Sequence, residues 1–359
     1  MLVEQIAEIR RNHPDNLMAR YFDATYFKSL SAADQERLSR MILTGIRNPD
    51  SIMGAYALYP DDYERFQPYL DLMIRDYHNI QGDLQQRTDW DCGDEVDLTR
   101  IDASLADCSM RVRVGRNLNN FPLPGAMSKT DRVSLENQMV KAFAKLIENP
   151  AFGGHYSSLT PGAAQQISQQ EYQQLVADHK MFKDMSDDPY LSVARISADW
   201  PYGRGMYESA DGQFIVWVGE EDHLRIMAMK RGALLNEIFV RLSESLGMLE
   251  RQGLNFARSA TYGYVTSCPT NLGTGMRASL HLALPKMTQN GRDLAALKAL
   301  VKNLGLSVRG VGGEHTSAGA GGLVDISPRA RLQVTEAEIC RQLYAGVKAL
   351  WEKEQQALS

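Results

Sequence analysis

QFIVWVGEEDHLRIMAMK, Gln213 to Lys230, decides the fold class. It reads as two strands around a short GEED turn. RASLHLALP, Arg277 to Pro285, is another strand, and SMRVRVG, Ser109 to Gly115, alternates in the same way. Between them RGALLNEIFVRLSESLGMLERQ, Arg231 to Gln252, reads as a long amphipathic helix. Near the end, Thr335 and Glu338 form a T-x-x-E cap before a helix with Ile339, Leu343, Val347 and Leu350 on one side. Strands and helices mix without a regular βαβ rhythm. The expected class is α+β, with a mainly antiparallel sheet flanked by helices.

Upstream the pattern is helical. Ser31 followed by Asp34 resembles a capping box, and Leu70, Met73, Ile74 and Tyr77 fall on one helix face. An acidic polar stretch, GDLQQRTDWDCGDEVD from Gly82, reads as a linker. The expected organisation is an all-helical domain over 1–85, a linker over 86–98 and a catalytic domain over 99–359. RGVGGEHTSAGAGG, Arg309 to Gly322, is too glycine-rich for a helix or central strand and is expected to be a mobile surface loop.

With 359 residues, 44% hydrophobic and 23% charged, the chain has material for two ordinary cores. A net charge of −5 gives no general attraction to nucleic acid or anionic membrane. Cys92, Cys108, Cys268 and Cys340 form no CxxC and no zinc spacing. No stretch approaches the ~20 apolar residues of a membrane span. A reduced cytoplasmic compartment is the expected location.

Residues two apart on a strand share a face. Ser109, Arg111 and Arg113 therefore stand together, as do Glu221, His223 and Arg225, and Arg277, Ser279 and His281. A sheet with one wet face accounts for any one of these. The cation is arginine each time, however, and its rigid fork of donors matches phosphate oxygens. If the strands are neighbours, their polar faces make a floor for a polyanion such as a nucleoside triphosphate. GxxxxGK[ST], HRD and DFG are absent, as is a basic stripe interleaved with aromatics. Glu221 in GEED and Glu314 in GGEHT each read first as a solvated glutamate of a turn or loop; flanking a polyphosphate floor, the two would instead bring a cationic co-substrate to the terminal phosphate. Cys268, beside a turn and opposite arginines, is expected to have a lowered pKa.

CPTNLGT with a following R-x-x-x-H, S-x-R-x-R, W-P-x-G-R-G, EEDH-L-R and R-G-x-x-G-E-H-T together resemble the ATP:guanidino phosphotransferases, the phosphagen kinases. The matching residues run in family order from Ser51 to Asp325. The resemblance implies a small helical N-terminal domain and a glutamine-synthetase-like catalytic domain. It implies reversible transfer of the γ-phosphoryl of MgATP to a guanidino nitrogen, with Mg²⁺ held mainly by phosphates and water. Arg111, Arg113, Arg225, Arg277 and Arg309 match phosphate-binding arginines, with Ser109 beside them. His179 and His281 match histidines near the nucleoside. Glu221 and Glu314 match the guanidinium clamp, and Cys268 the reactive cysteine.

SIMGAY, Ser51 to Tyr56, falls where that family has its guanidino-specificity loop. Ser51, Gly54 and Tyr56 match the arginine-kinase spacing, while Ile52 and Met53 depart from the usual Gly-Val. Gly219 replaces a more usual Asn, with a looser turn as the expected effect. The implied substrate is L-arginine, with ATP and ADP as nucleotides and no nucleic-acid or membrane partner. Alternatives are a kinase for taurocyamine or lombricine, a protein-arginine kinase, or an inactive nucleotide-binding homologue. A monomer or a homodimer fits.

Overall fold

The computed structural model describes residues 2–311 and 318–357. Helices run from Leu2–Asn12 to Gln67–His78, and the first strand begins at Cys108. Ser31 accepts from the Asp34 N–H at 3.2 Å and caps Ala32–Met41, as its spacing predicts. In Gln67–His78 the side chains of Leu70, Met73 and Ile74 are buried. Tyr77, expected on that core face, is 43% exposed.

The strands are β1 Cys108–Arg116, β2 Gly154–Ser158, β3 Gly205–Ser209, β4 Phe214–Val218, β5 Leu224–Gly232, β6 Arg258–Ser259, β7 Gly263–Tyr264, β8 Met276–Ala283, β9 Leu306–Gly310 and β10 Leu323–Pro328. Eight form one antiparallel sheet in the order β2-β3-β4-β5-β1-β8-β10-β9, and β6 and β7 pair separately. The α+β class expected from the sequence holds. Among the described residues no helix is long and apolar enough to cross a membrane.

The chain divides into two compact units. The first comprises Met1–Gln86, Gly115–Ile226 and Met248–Gly275. Its helical part buries Met18, Met41, Phe66, Tyr69 and Ile74. Tyr63 Oη donates to Thr266 O at 2.7 Å, and Ala57 N to Ser267 O at 2.8 Å. These bonds tie the helices to the segment that carries Cys268. Elsewhere in the unit, Phe143 of the capped helix Lys129–Ile147 stacks on Tyr207 of β3 with centroids 4.9 Å apart.

The second unit comprises Arg87–Val114, Met227–Gly247 and Met276–Ser359. Met110, Val112, Leu280, Leu282, Val324 and Ile326 point from its strands into a buried layer. Helix Glu336–Gln356 packs on β8 and β10 and brings Ile339, Leu343, Val347 and Leu350 to that layer. The Thr335–Glu338 capping box forms with both reciprocal bonds. Alternation on β1 is complete: Ser109, Arg111 and Arg113 are half-buried, and their neighbours are buried. β9 runs to Gly310, so Arg309 belongs to a strand and not to the glycine-rich loop expected from Arg309 onward. That backbone is ordered by pairing with β10. The expected loop also contains residues outside the described ones, Glu314 among them.

Candidate active site

In the second unit the register assembles a cationic row. Arg113 lies opposite Arg277 and Arg111 opposite Ser279. His281 lies opposite Asp325, and Asp325 opposite Arg309. Directly opposed residues share a face. Ser109, Arg111, Arg113, Arg277, His281 and Arg309 therefore stand on one side of four strands. Four guanidinium groups face one carboxylate there, in a chain whose net charge is −5. Arg277 reaches Asp325 at 3.6 Å, and Arg111 donates to Met227 Sδ at 2.8 Å. Parallel arginine forks of this kind suit an anion with several oxygens. Sequence reasoning missed Asp325 on this face, although its alternation within LVDISP carried the signal.

The first unit holds a pocket of about 420 Å³. Ser51 through Tyr56 line it together with Glu221, Cys268 and Thr270. It brings Ser51, Gly54, Tyr56, Glu221 and Cys268 together from three distant parts of the sequence. Asp50, Tyr77, Asp188, Tyr190 and Leu191 also line it, and no sequence motif marked them. The Ser51–Tyr56 segment is fixed by its backbone: Leu17 N donates to Ile52 O at 2.8 Å, Gly45 N to Gly54 O at 3.0 Å, and Tyr56 N to Met41 O at 2.9 Å. Ser51 Oγ accepts from Gly54 N at 3.0 Å. Gly54 has φ +73°, and a Cβ there would lie 2.7 Å from Met18 Cβ, so both the turn and the close packing require glycine.

Glu221 and Cys268 are placed by one set of bonds. Asn271 Nδ2 donates to Glu221 Oε1 at 3.2 Å. Next to Glu221, the buried Asp222 carboxylate accepts from Ser267 N and Asn117 Nδ2, each at 2.7 Å. Burial pushes that carboxyl up, and the two N–H donors hold it down. The turn is held from below by Arg204 of WPYGRG. Its fork is fully buried and is spent on the carbonyls of Gly219 at 3.1 Å, Tyr202 at 2.8 Å and Ile196 at 2.9 Å. The motif thus supports the turn that carries Glu221.

Three sequence expectations need correction. Cys268 was expected to have a lowered pKa. Burial first, and then the Glu221 carboxylate, push it up to about 12, while the Thr270 hydroxyl 3.0 Å away opposes the rise. His223 was expected on the exposed face of Arg225. β5 starts only at Leu224, and His223 is wholly buried in the turn. Leu118 N donates to its Nδ1 at 2.9 Å, so Nε2 carries the proton and donates to Pro122 O at 2.8 Å. Burial lowers its pKa to about 4. Gly219 was expected to loosen its turn and do little else. Its φ is +76°, and a Cβ would lie 2.4 Å from Gly203 O.

Two expected residues of the first unit, Arg225 and His179, are not among those lining the pocket. Arg225 pairs with Glu220 at 2.9 Å, its guanidinium 5.4 Å from the Trp217 ring centroid. His179 is exposed at φ +58°, just past helix Gln169–Ala177. Tyr56's hydroxyl is kept protonated by burial first and by the ionisable groups of Cys268 and Glu221 next.

Residues 134–357 match the family described as ATP:guanido phosphotransferase, C-terminal catalytic domain, and residues 12–75 its N-terminal domain. Arginine kinase Oct f 2 of Amphioctopus fangsiao is 37% identical over 318 residues, covering 88% of this chain and 87% of that protein. Among solved structures, the duplicated taurocyamine kinase from Schistosoma mansoni with bound transition-state-analogue components superposes with a TM-score of 0.82 at 31% identity. That match covers 98% of this chain and 48% of the other, so this chain spans about half its length. A lombricine kinase crystal structure gives a TM-score of 0.82 at 27% identity over 96% of this chain and 93% of the other.

Proposed function

The chain belongs to the ATP:guanido phosphotransferase family, and from that premise we propose that it transfers the γ-phosphoryl group of ATP, reversibly, to the guanidino nitrogen of L-arginine, giving phosphoarginine and ADP. Phosphoryl transfer to a guanidine is the activity of the family, and L-arginine is the guanidine proposed. The 37% identity to an arginine kinase supports the choice of arginine, and one observation supports a guanidine with an anionic end. The pocket that holds Glu221 and Cys268 is also lined by Ile52, Met53 and Ala55, whose backbone N–H groups make no hydrogen bond among the described residues. Met53 and Ala55 are 5% and 2% exposed. Buried N–H groups without partners, as at Met53 and Ala55, are rare, and the anionic end of the substrate, the arginine carboxylate in this reading, satisfies them.

In this reading Glu221 pairs with the guanidinium and orients its attacking nitrogen. As the N–P bond forms and the bond to the ADP oxygen breaks, that nitrogen loses a proton, and Glu221 is the carboxylate placed to take it. Cys268 stays a thiol in the ligand-free protein and lies beside the bound cation. Glu314, the second expected clamp residue, lies outside the described residues. Arg111, Arg113, Arg277 and Arg309 neutralise the polyphosphate as charge develops on the leaving ADP. Alignment of the nitrogen with the terminal phosphorus provides the remaining rate gain. Mg²⁺ enters as MgATP. Among the described residues no cluster of three or more Asp, Glu, His or Cys side chains is arranged to hold a metal, and this reading leaves the ion to phosphates and water.

A second reading, taurocyamine or lombricine as the guanidine, has the two structural matches in its favour. An ATP-coupled assay with arginine, taurocyamine, lombricine and creatine separates them. The highest kcat/KM is expected for arginine. Taurocyamine above arginine would overturn the substrate, and no turnover of any free guanidine would overturn the kinase reading itself.

A further inference from the structure

We propose that Cys92 and Cys340 form an oxidation site, a buried dithiol that a hydroperoxide closes to a disulfide, stapling the segment before β1 to helix Glu336–Gln356. Neither thiol belongs to the guanidine pocket or to the arginine row, so the site does not depend on which guanidine is phosphorylated. Both residues lie in the second unit.

Three bonds hold the two backbones together at this place. Ala337 N donates to Asp89 O at 2.8 Å, Asp89 N to Glu336 Oε2 at 3.1 Å, and Arg341 Nη1 to Asp91 O at 3.0 Å. Residues 89–91 are thereby fixed beside residues 336–341, and Cys92 is brought against Cys340. The Cys340 thiol donates to the Cys92 sulfur, and the Cys92 thiol to Trp90 O at 3.6 Å. A disulfide forms without rearrangement only between backbones that already run close, and these do. Cys108 and Cys268, the other two thiols, have no cysteine partner.

The two sulfurs differ in access. Cys340 is wholly buried on its helix. Cys92 is buried too, but Asp91, Gly93, Asp94 and Glu95 around it are exposed, and residues 81–96 form neither helix nor strand. Opening of a few residues uncovers Cys92 and leaves the helix intact. The three carboxylates beside it repel anionic oxidants such as oxidised glutathione, which leaves a small neutral peroxide as the reactant. The Cys92 thiolate attacks one peroxide oxygen, the O–O bond breaks, and the departing oxygen takes a proton and leaves as water. Cys92 is then a sulfenic acid. The Cys340 sulfur attacks the Cys92 sulfur, the S–O bond breaks, and the Cys340 proton leaves with a second water. In sum, two thiols and one hydrogen peroxide give one disulfide and two waters. The helix packs on the side of β8 and β10 opposite the arginines, so the staple lies behind the phosphate-facing row. It closes the chain from residue 92 to residue 340 and restricts the unfolded state.

The full chain, Cys92→Ser and Cys340→Ser are reduced, freed of reductant, treated with a small excess of hydrogen peroxide and digested without reductant. The full chain is expected to yield one peptide pair joined through Cys92 and Cys340, about 2 Da lighter than the sum of the two thiol peptides and separated by dithiothreitol. Its urea midpoint is expected to rise by roughly 0.5–1 M on oxidation and to return on reduction. Cys92→Ser, whose change lies in the irregular segment, is expected to show neither effect even if Cys340→Ser folds poorly. Recovery of Cys92 as a thiol, as a sulfinic acid, or joined to Cys108 or Cys268 would overturn the site. A joined pair with no reversible rise in midpoint, or an equal rise in Cys92→Ser, would overturn the staple.

Discussion

At neutral pH the Cys268 side chain is a thiol, because burial and the Glu221 carboxylate raise its pKa to about 12. Glu221→Gln removes the charge. The variant is expected to alkylate Cys268 with iodoacetamide several-fold faster at pH 9, while its turnover of arginine falls by roughly 100-fold or more, as for loss of a group aimed at the reacting centre. Equal alkylation rates in the two proteins would break the coupling. His223 sets a different pH window. Its folded pKa is lowered from 6.5 to about 4, so the fold favours the neutral ring. The stability it contributes is fully present above pH 6.5 and is lost as pH falls toward 4. The shift corresponds to roughly 3 kcal/mol. Urea unfolding from pH 7 to 4 is expected to show that loss in the unmodified chain and not in His223→Gln; parallel pH slopes would contradict it. The identities of both residues were legible in the sequence. Their ionisation was not, because desolvation is set by neighbours far away in the chain.

The turn between β4 and β5 shows the same division. Two strands around GEED were readable from apolar runs and a glycine, since both signals are local. The demand for glycine at 219 comes from Gly203 O, supplied by the WPYGRG segment. Gly219→Ala is expected to cost roughly 1–3 kcal/mol in urea unfolding, from a strained positive φ and a backbone clash. It should also lower kcat for arginine more than ADP affinity, because Arg204 holds the Gly219 carbonyl beside Glu220 and Glu221. Unchanged stability would show that the turn relaxes freely. The cap at Thr335 is the opposite case, fully readable because all its partners lie within four residues. Thr335→Ala is expected to cost about 1 kcal/mol without changing the relative kcat/KM of the guanidines.

At the scale of the whole molecule, the arginine row lies in one unit and the guanidine-pocket candidate in the other. ADP alone and arginine alone are each expected to raise the melting midpoint of the full chain. The stabilisation approaches about 2.7 kcal/mol at a free concentration near 100 Kd. Arg113→Ala is expected to abolish most of the ADP shift and keep the arginine shift. An intact ADP shift would remove the β1–β8 arginine pair from phosphate binding. The sequence by itself determined the helical N-terminal part, the strand periodicity, the arginines on one face of each strand and the helix caps. Each of these depends on backbone geometry within a few residues. Only the tertiary structure decided that Arg113 faces Arg277, that Asp325 sits among the cations, and that His223 is buried. It alone joined Asp50, Tyr190, Glu221 and Cys268 around one pocket. Strand register, burial and the electrostatic environment of a side chain arise from groups distant in the chain, and local patterning carries no information about which of them will meet.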